Sequence, residues 1–252
     1  MVKSSTSSAR TFRHKRSPLC CTMTPIAKSP SWPRQLWALV WKDLKLELRT
    51  RESITAMLAF AVMAIVMFNF ALRLRTDAFR PLAPGILWVT LVFAGTLGLS
   101  RSFSNEQVNQ CLDGLLLAPY DHSVIFLGKA LGNLAFTLIT AVLVTPLGAI
   151  LLDEGLMQPG VWLTIVLGAA GYAGAGTLIA AMASSTRARE VFLPLLLFPL
   201  ALPLLVAAVI VTAGFVDRAP FDEFGAWLGM IVAFIVLFWA AGVLLFEYLV
   251  EG

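Results

Sequence analysis

From Ser53 onward, long apolar blocks alternate with short polar connections, six times over. A helix rises about 1.5 Å per residue and a bilayer's hydrocarbon is about 30 Å thick, so roughly 20 apolar residues suffice for one crossing. The blocks run from Ser53 to Leu72, Pro81 to Ser100, about Ala130 to Leu152, about Val161 to Ser184, Val191 to Phe215 and about Phe224 to Phe246. Pro81 and Pro84 fall in the opening turn of the second block, where a missing amide donor matters least. The pattern predicts an all-α integral membrane protein with six transmembrane helices.

A different periodicity precedes the first block. In RQLWALVWKDLKLELRTR, Trp37, Trp41, Leu44 and Leu48 recur at steps of four, three and four, with Lys42, Asp43, Lys45 and Arg49 mostly elsewhere around the helix. This predicts an amphipathic helix lying in the membrane interface, with tryptophan at the headgroups and basic side chains toward water. The competing reading is a straight extension of the first span. Residues 1–33 are basic, rich in Ser and Thr and free of acidic residues, a composition that cannot bury apolar surface and predicts disorder. They read as a targeting segment or as the product of a start upstream of Met23. The expected organisation is a disordered extension over 1–33 and a six-span domain over 34–252.

Composition agrees with the pattern: of 252 residues 58% are hydrophobic and 13% charged, with a mean hydropathy of +0.82, far from soluble domains. The formal charge of +4 is not a nucleic-acid footprint, because the basic residues sit between apolar blocks and set topology. Eleven precede the first block, and Arg101, Lys129, Arg187 and Arg189 fall on the same side; Arg73, Arg75, Arg80 and Arg218 fall on the other. Both termini are therefore expected in the cytoplasm. The outer connections are short and leave no room for a folded domain.

Little here can do chemistry unaided. Cys20, Cys21 and Cys111, with His14 and His122, have no metal-ligand spacing. No G-x-x-x-x-G-K-[ST] occurs, since Gly128-Lys129 is followed by Ala130. The connection Ser100–Asn133 is more informative: Phe103, Val108, Cys111, Leu112, Leu115 and Leu116 can line one side of a short helix that Pro119 stops. Such a helix can rest on the membrane or dock on a partner. Lys129, Arg187, Arg189 and Glu190 lie at membrane borders, where they either snorkel to water or form a gate at the cytoplasmic mouth. Gly168, Gly171, Ala175 and Gly176 permit close helix packing in the fourth block. Pro194, Pro199 and Pro203 predict a kinked fifth helix.

The segment Glu106–Lys129, EQVNQCLDGLLLAPYDHSVIFLGK, resembles the cytoplasmic segment of ABC-2-type exporter permeases. Ser184–Leu205, SSTRAREVFLPLLLFPLALPLL, and the Trp41-Lys42-Asp43 opening are similar to the haem exporter permease of cytochrome c maturation, the CcmB family. The resemblance covers about residues 34 to 250. It implies a bacterial inner-membrane permease, rather than a mitochondrial one, that dimerises and pairs with a cytoplasmic CcmA-like ABC ATPase. Further implied partners are a CcmC-like haem-handling membrane protein, a CcmD-like small subunit and a CcmE-like haem chaperone. ATP would bind the partner subunit, and its hydrolysis would drive release of the haem-loaded chaperone or haem export.

With no fuel site of its own, the chain would receive energy through a coupling helix: Phe103, Val108, Leu112 and Leu115 for apolar contact, Arg101, Glu106 and Asp113 for register. Haem would be carried by partner proteins. His14 and His122 lie in the tail and on the cytoplasmic side, and Met57, Met63 and Met67 read as packing residues, so no cofactor is expected on this chain. The rival readings are an ABC-2 permease for a lipid, glycan or drug, an ion-coupled carrier, and a structural membrane anchor.

Overall fold

In hydrocarbon a segment must satisfy its own backbone N–H and C=O groups, so each apolar block is driven into a helix. The computed structural model describes residues 36–37, 39–41, 44–45, 52–73, 80–108, 122–152, 154–183 and 189–251. These belong to one compact unit, Ser31–Gly252; the basic extension lies outside the described residues. The helices are α1 (Glu52–Arg73), α2 (Ala83–Val108), α3 (His122–Leu151), α4 (Pro159–Ala183), α5 (Arg189–Val216) and α6 (Phe221–Glu251). All six are long and apolar enough to cross a membrane.

The largest differences from expectation, eight residues each, are at two boundaries. α2 does not stop with its apolar block at Ser100 but continues to Val108, because Arg101–Val108 is polar yet contains no Gly or Pro to end it. α3 begins at His122, eight residues before the expected start near Ala130, since Val124, Ile125, Phe126 and Leu127 already supply apolar helical positions. Lys129 therefore lies within the third span.

The short connections are closed by local chemistry. A 3₁₀ turn, Arg80–Leu82, leads into α2, and another, Glu154–Met157, follows α3. α4 opens on Pro159 in its first turn. α5 ends in a Schellman motif: the Ala219 N–H donates to the Gly214 carbonyl at 2.9 Å and the Arg218 N–H to that of Phe215 at 3.2 Å. Arg218 takes the left-handed position, φ 53°. Asp222 and Glu223 then occupy the first turn of α6, where the helix dipole favours negative charge.

α4 is the hub, packing against α2, α3, α5 and α6, while α1 packs on α2 and α3. Its glycines each receive a large side chain from a neighbour. Trp88 of α2 occupies the space where a Gly168 Cβ would stand. A Cβ on Gly174 would lie 2.7 Å from Trp239 of α6, and one on Gly176 2.5 Å from Leu99 of α2. The indoles are also satisfied: Trp88 Nε1 donates to Thr212 Oγ1 of α5 at 2.9 Å, and Trp239 Nε1 to the Ala170 carbonyl at 3.0 Å. Trp88 thus binds three helices together. Near the C-terminal end of α1, Asn69 Nδ2 donates to the Leu151 carbonyl in the last turn of α3, a group helix geometry leaves without an intrahelical donor.

Candidate functional site

The segment expected to couple to a partner starts on α2. The helix carries Arg101, Phe103, Glu106 and Val108 beyond its apolar span, which ends at Ser100. The segment therefore begins as a continuation of the second span rather than as a separate helix. Leu112, Asp113 and Leu115 lie outside the described residues.

Next to this segment in sequence, the start of α3 is held by close packing. Phe126, fully buried, occupies the place of a Gly242 Cβ on α6. Leu39 does the same at Gly128, so the helical residues near 39 dock on α3. Of the expected interfacial face, Trp37 and Trp41 are 67% and 54% exposed and stack with centroids 6.2 Å apart. Leu44 instead packs, partly buried, against the main core. Leu48 is not among the described residues.

Lys129 is 6% exposed, so it does not snorkel to the protein surface. Its side chain is enclosed by the neighbouring helices of the bundle. Of the other residues expected at the mouth, Arg189 and Glu190 open α5, and Arg187 lies outside the described residues. Pro194, Pro199 and Pro203 all sit inside an unbroken α5. Pro199 and Pro203 are exposed, on the outer side with Leu195, Leu202 and Val206, while Leu193, Leu197, Ala201 and Leu204 face the core.

Sequence reasoning missed the polar cluster in the interior. One and two turns beyond Lys129 on α3 come Asn133 and Thr137, both buried. Asn133 Nδ2 donates to Thr177 Oγ1 of α4 at 3.0 Å, and Thr137 Oγ1 donates back to the Asn133 carbonyl at 2.9 Å. Beside them Tyr172 of α4 meets Thr96 of α2, the hydroxyls 2.6 Å apart. Thr96 Oγ1 donates to the Val92 carbonyl at 2.8 Å, and the Tyr172 hydroxyl lies 3.2 Å from the same oxygen. A cavity of about 10 Å³ opens here, lined by Met57, Gly95, Gly98, Asn133, Thr137 and Tyr172 among others. The signal was present in the spacing: Lys129, Asn133 and Thr137 recur every four residues and so share one helix face. Among the described residues no group of three or more His, Cys, Asp or Glu comes together.

Six apolar crossings, an interior fastened by small residues and a few hydrogen-bonded polar ones, and a helix that runs past its apolar span define a multi-pass membrane protein of the permease type. The model of the family described as CcmB protein matches residues 34–245, and the chain belongs to that family. It is 31% identical over 172 residues to Heme exporter protein B of Rhodobacter capsulatus, covering 67% of this chain and 78% of the relative. It is 25% identical over 196 residues to the protein of that name from Pseudomonas aeruginosa, covering 77% and 88%, and 26% identical over 174 residues to that from Haemophilus influenzae, covering 68% and 77%.

Proposed function

We propose that this chain is the transmembrane permease subunit of an ABC-type haem-handling complex in cytochrome c maturation. What supports the reading is the CcmB family match over residues 34–245 together with the likeness to relatives named Heme exporter protein B. The subunit is not an enzyme and lies in the bacterial inner membrane with both termini in the cytoplasm, the side that carries most of its basic residues. Lacking a phosphate-binding glycine loop of the Walker type, it takes its energy from a CcmA-like ATPase. Residues 101–117 act as the coupling segment and hand motion to α2 on one side and α3 on the other. A CcmC-like protein, a CcmD-like subunit and a CcmE-like chaperone complete the machinery and carry haem. Two copies of the chain form the membrane core. Arg187, Arg189, Glu190 and Lys129 form the cytoplasmic mouth, Trp37 and Trp41 anchor the flanking helix at the headgroups, and α5 flexes at its prolines.

The test is affinity purification of the tagged chain with its partners. An ATPase subunit should co-purify and be lost with Leu112→Glu or Asp113→Arg, while the variant protein remains folded in the membrane. Deleting the chain should leave the chaperone trapped with haem. Normal chaperone release, or purification without any ATPase, overturns the assignment.

A further inference from the structure

The interior of a helical membrane protein is dry except where polar groups are gathered to hold water. The cavity between α2, α3 and α4 is such a place. Its volume of about 10 Å³ is close to the smallest space in which a buried water fits. A buried water further requires two to four polar partners, roughly three being typical, and Asn133, Thr137 and Tyr172 all line this one.

The hydrogen-bond inventory leaves capacity on each. A primary amide offers two N–H donors and a carbonyl oxygen; Asn133 places one N–H on Thr177. A threonine hydroxyl has one proton, and that of Thr137 goes to the Asn133 carbonyl, so its oxygen can still accept. Thr96 and Tyr172 together own two protons. With the Thr96 proton on the Val92 carbonyl at 2.8 Å, the Tyr172 proton is shared between Thr96 Oγ1 at 2.6 Å and the same carbonyl at 3.2 Å, and the phenol oxygen keeps acceptor capacity. The vacant valences are mostly acceptors, which is what a donating water fits.

The walls also hold the space open. A Cβ on Gly95 would lie 2.8 Å from the Tyr172 ring, and one on Gly98 2.6 Å from the Met57 sulfur. A side chain at either position would displace Tyr172 or Met57, both of which line the cavity.

We propose that this cavity binds a single water molecule that joins Asn133 and Thr137 of α3 to Tyr172 of α4. The bridge lies on α3 between the small apolar cluster around Phe126 and Ala130 and the main core, which α3 joins at Phe136. A bridging water is enthalpically nearly as good as a direct hydrogen bond, and it can turn to follow its partners when they shift. α3 can therefore move against α2 and α4 there without stranding a buried polar group. This inference does not depend on the haem reading.

The experiment is hydroxyl-radical footprinting by X-ray pulses on the full chain in nanodiscs, since a bound water is the local source of radical. Met57 and Tyr172, 1% and 2% exposed, should be oxidised in the wild type despite their burial. Asn133→Leu and Thr137→Val should each lower oxidation of Met57 several-fold, with Met157 in the outer turn unchanged. If Met57 and Tyr172 stay unmodified at doses that fully oxidise Met157, the cavity is dry and the proposal fails. It fails equally if both are oxidised to the same extent in all three proteins, because radical then comes from bulk water. Should Asn133→Leu not fold, the wild type and Thr137→Val decide the matter.

Discussion

α4 and α6 lie against one another, yet 72% of the apolar span of α4 is buried and 11% of that of α6, although α6 is the more hydrophobic of the two. In water the order would be reversed. In lipid, moving an apolar side chain from the tails to the protein interior gains little, so burial goes to helices that can approach closely and satisfy hydrogen bonds. α4 has glycines where neighbours press in and Thr177 and Tyr172 for polar contacts. α6 has Val236, Leu237, Leu244 and Leu245 facing outward.

The comparison breaks most readily on its outer side. Leu237→Arg should cost about 2.5 to 3.5 kcal/mol in membrane insertion if α6 faces hydrocarbon, read as the inserted fraction in a glycosylation-mapping assay; unaltered insertion would mean that Leu237 faces water. Next comes the inner side. Gly168→Ala sets a methyl group against the Trp88 ring and should destabilise by about 1 to 3 kcal/mol through overpacking, measured by steric-trap unfolding in bicelles.

A double-mutant cycle between Asn133→Ala and Thr177→Ala should return a coupling near 0.6 kcal/mol, the usual worth of one interhelical hydrogen bond in a membrane. A value near zero would remove this pair from the forces holding α3 to α4. The smallest effect is expected at Gly229 of α6, exposed and with nothing within 4 Å of an added Cβ. Gly229→Ala should change stability by less than about 1 kcal/mol, in the stabilising direction. The contrast with Gly168 separates glycines needed for approach from those that are merely present.

The number of helices and the location of each were legible because twenty-residue apolar blocks have one solution in lipid. Their ends were less so. Hydropathy marks where hydrocarbon begins, not where a helix stops, and nothing in Arg101–Val108 breaks α2. The polar interior was hidden for another reason. Thr96 and Tyr172 are 76 residues apart and Asn133 and Thr177 44, and periodicity reports the face a residue occupies but not the helix that it meets. Lys129 illustrates both: its spacing with Asn133 and Thr137 placed it on their face, while its position ahead of the expected span suggested a border.

The length of α2 has a mechanical consequence. At about 1.5 Å per residue its 26 residues make a rod of about 39 Å, against a hydrocarbon thickness of about 30 Å. Without a proline or glycine after Gly98, its last turns form a stiff overhang. A sideways push on that overhang is not absorbed in a slack loop; it levers the buried length of the rod, and the first polar contact it disturbs inside is that of the Ser100 hydroxyl with the Thr96 carbonyl.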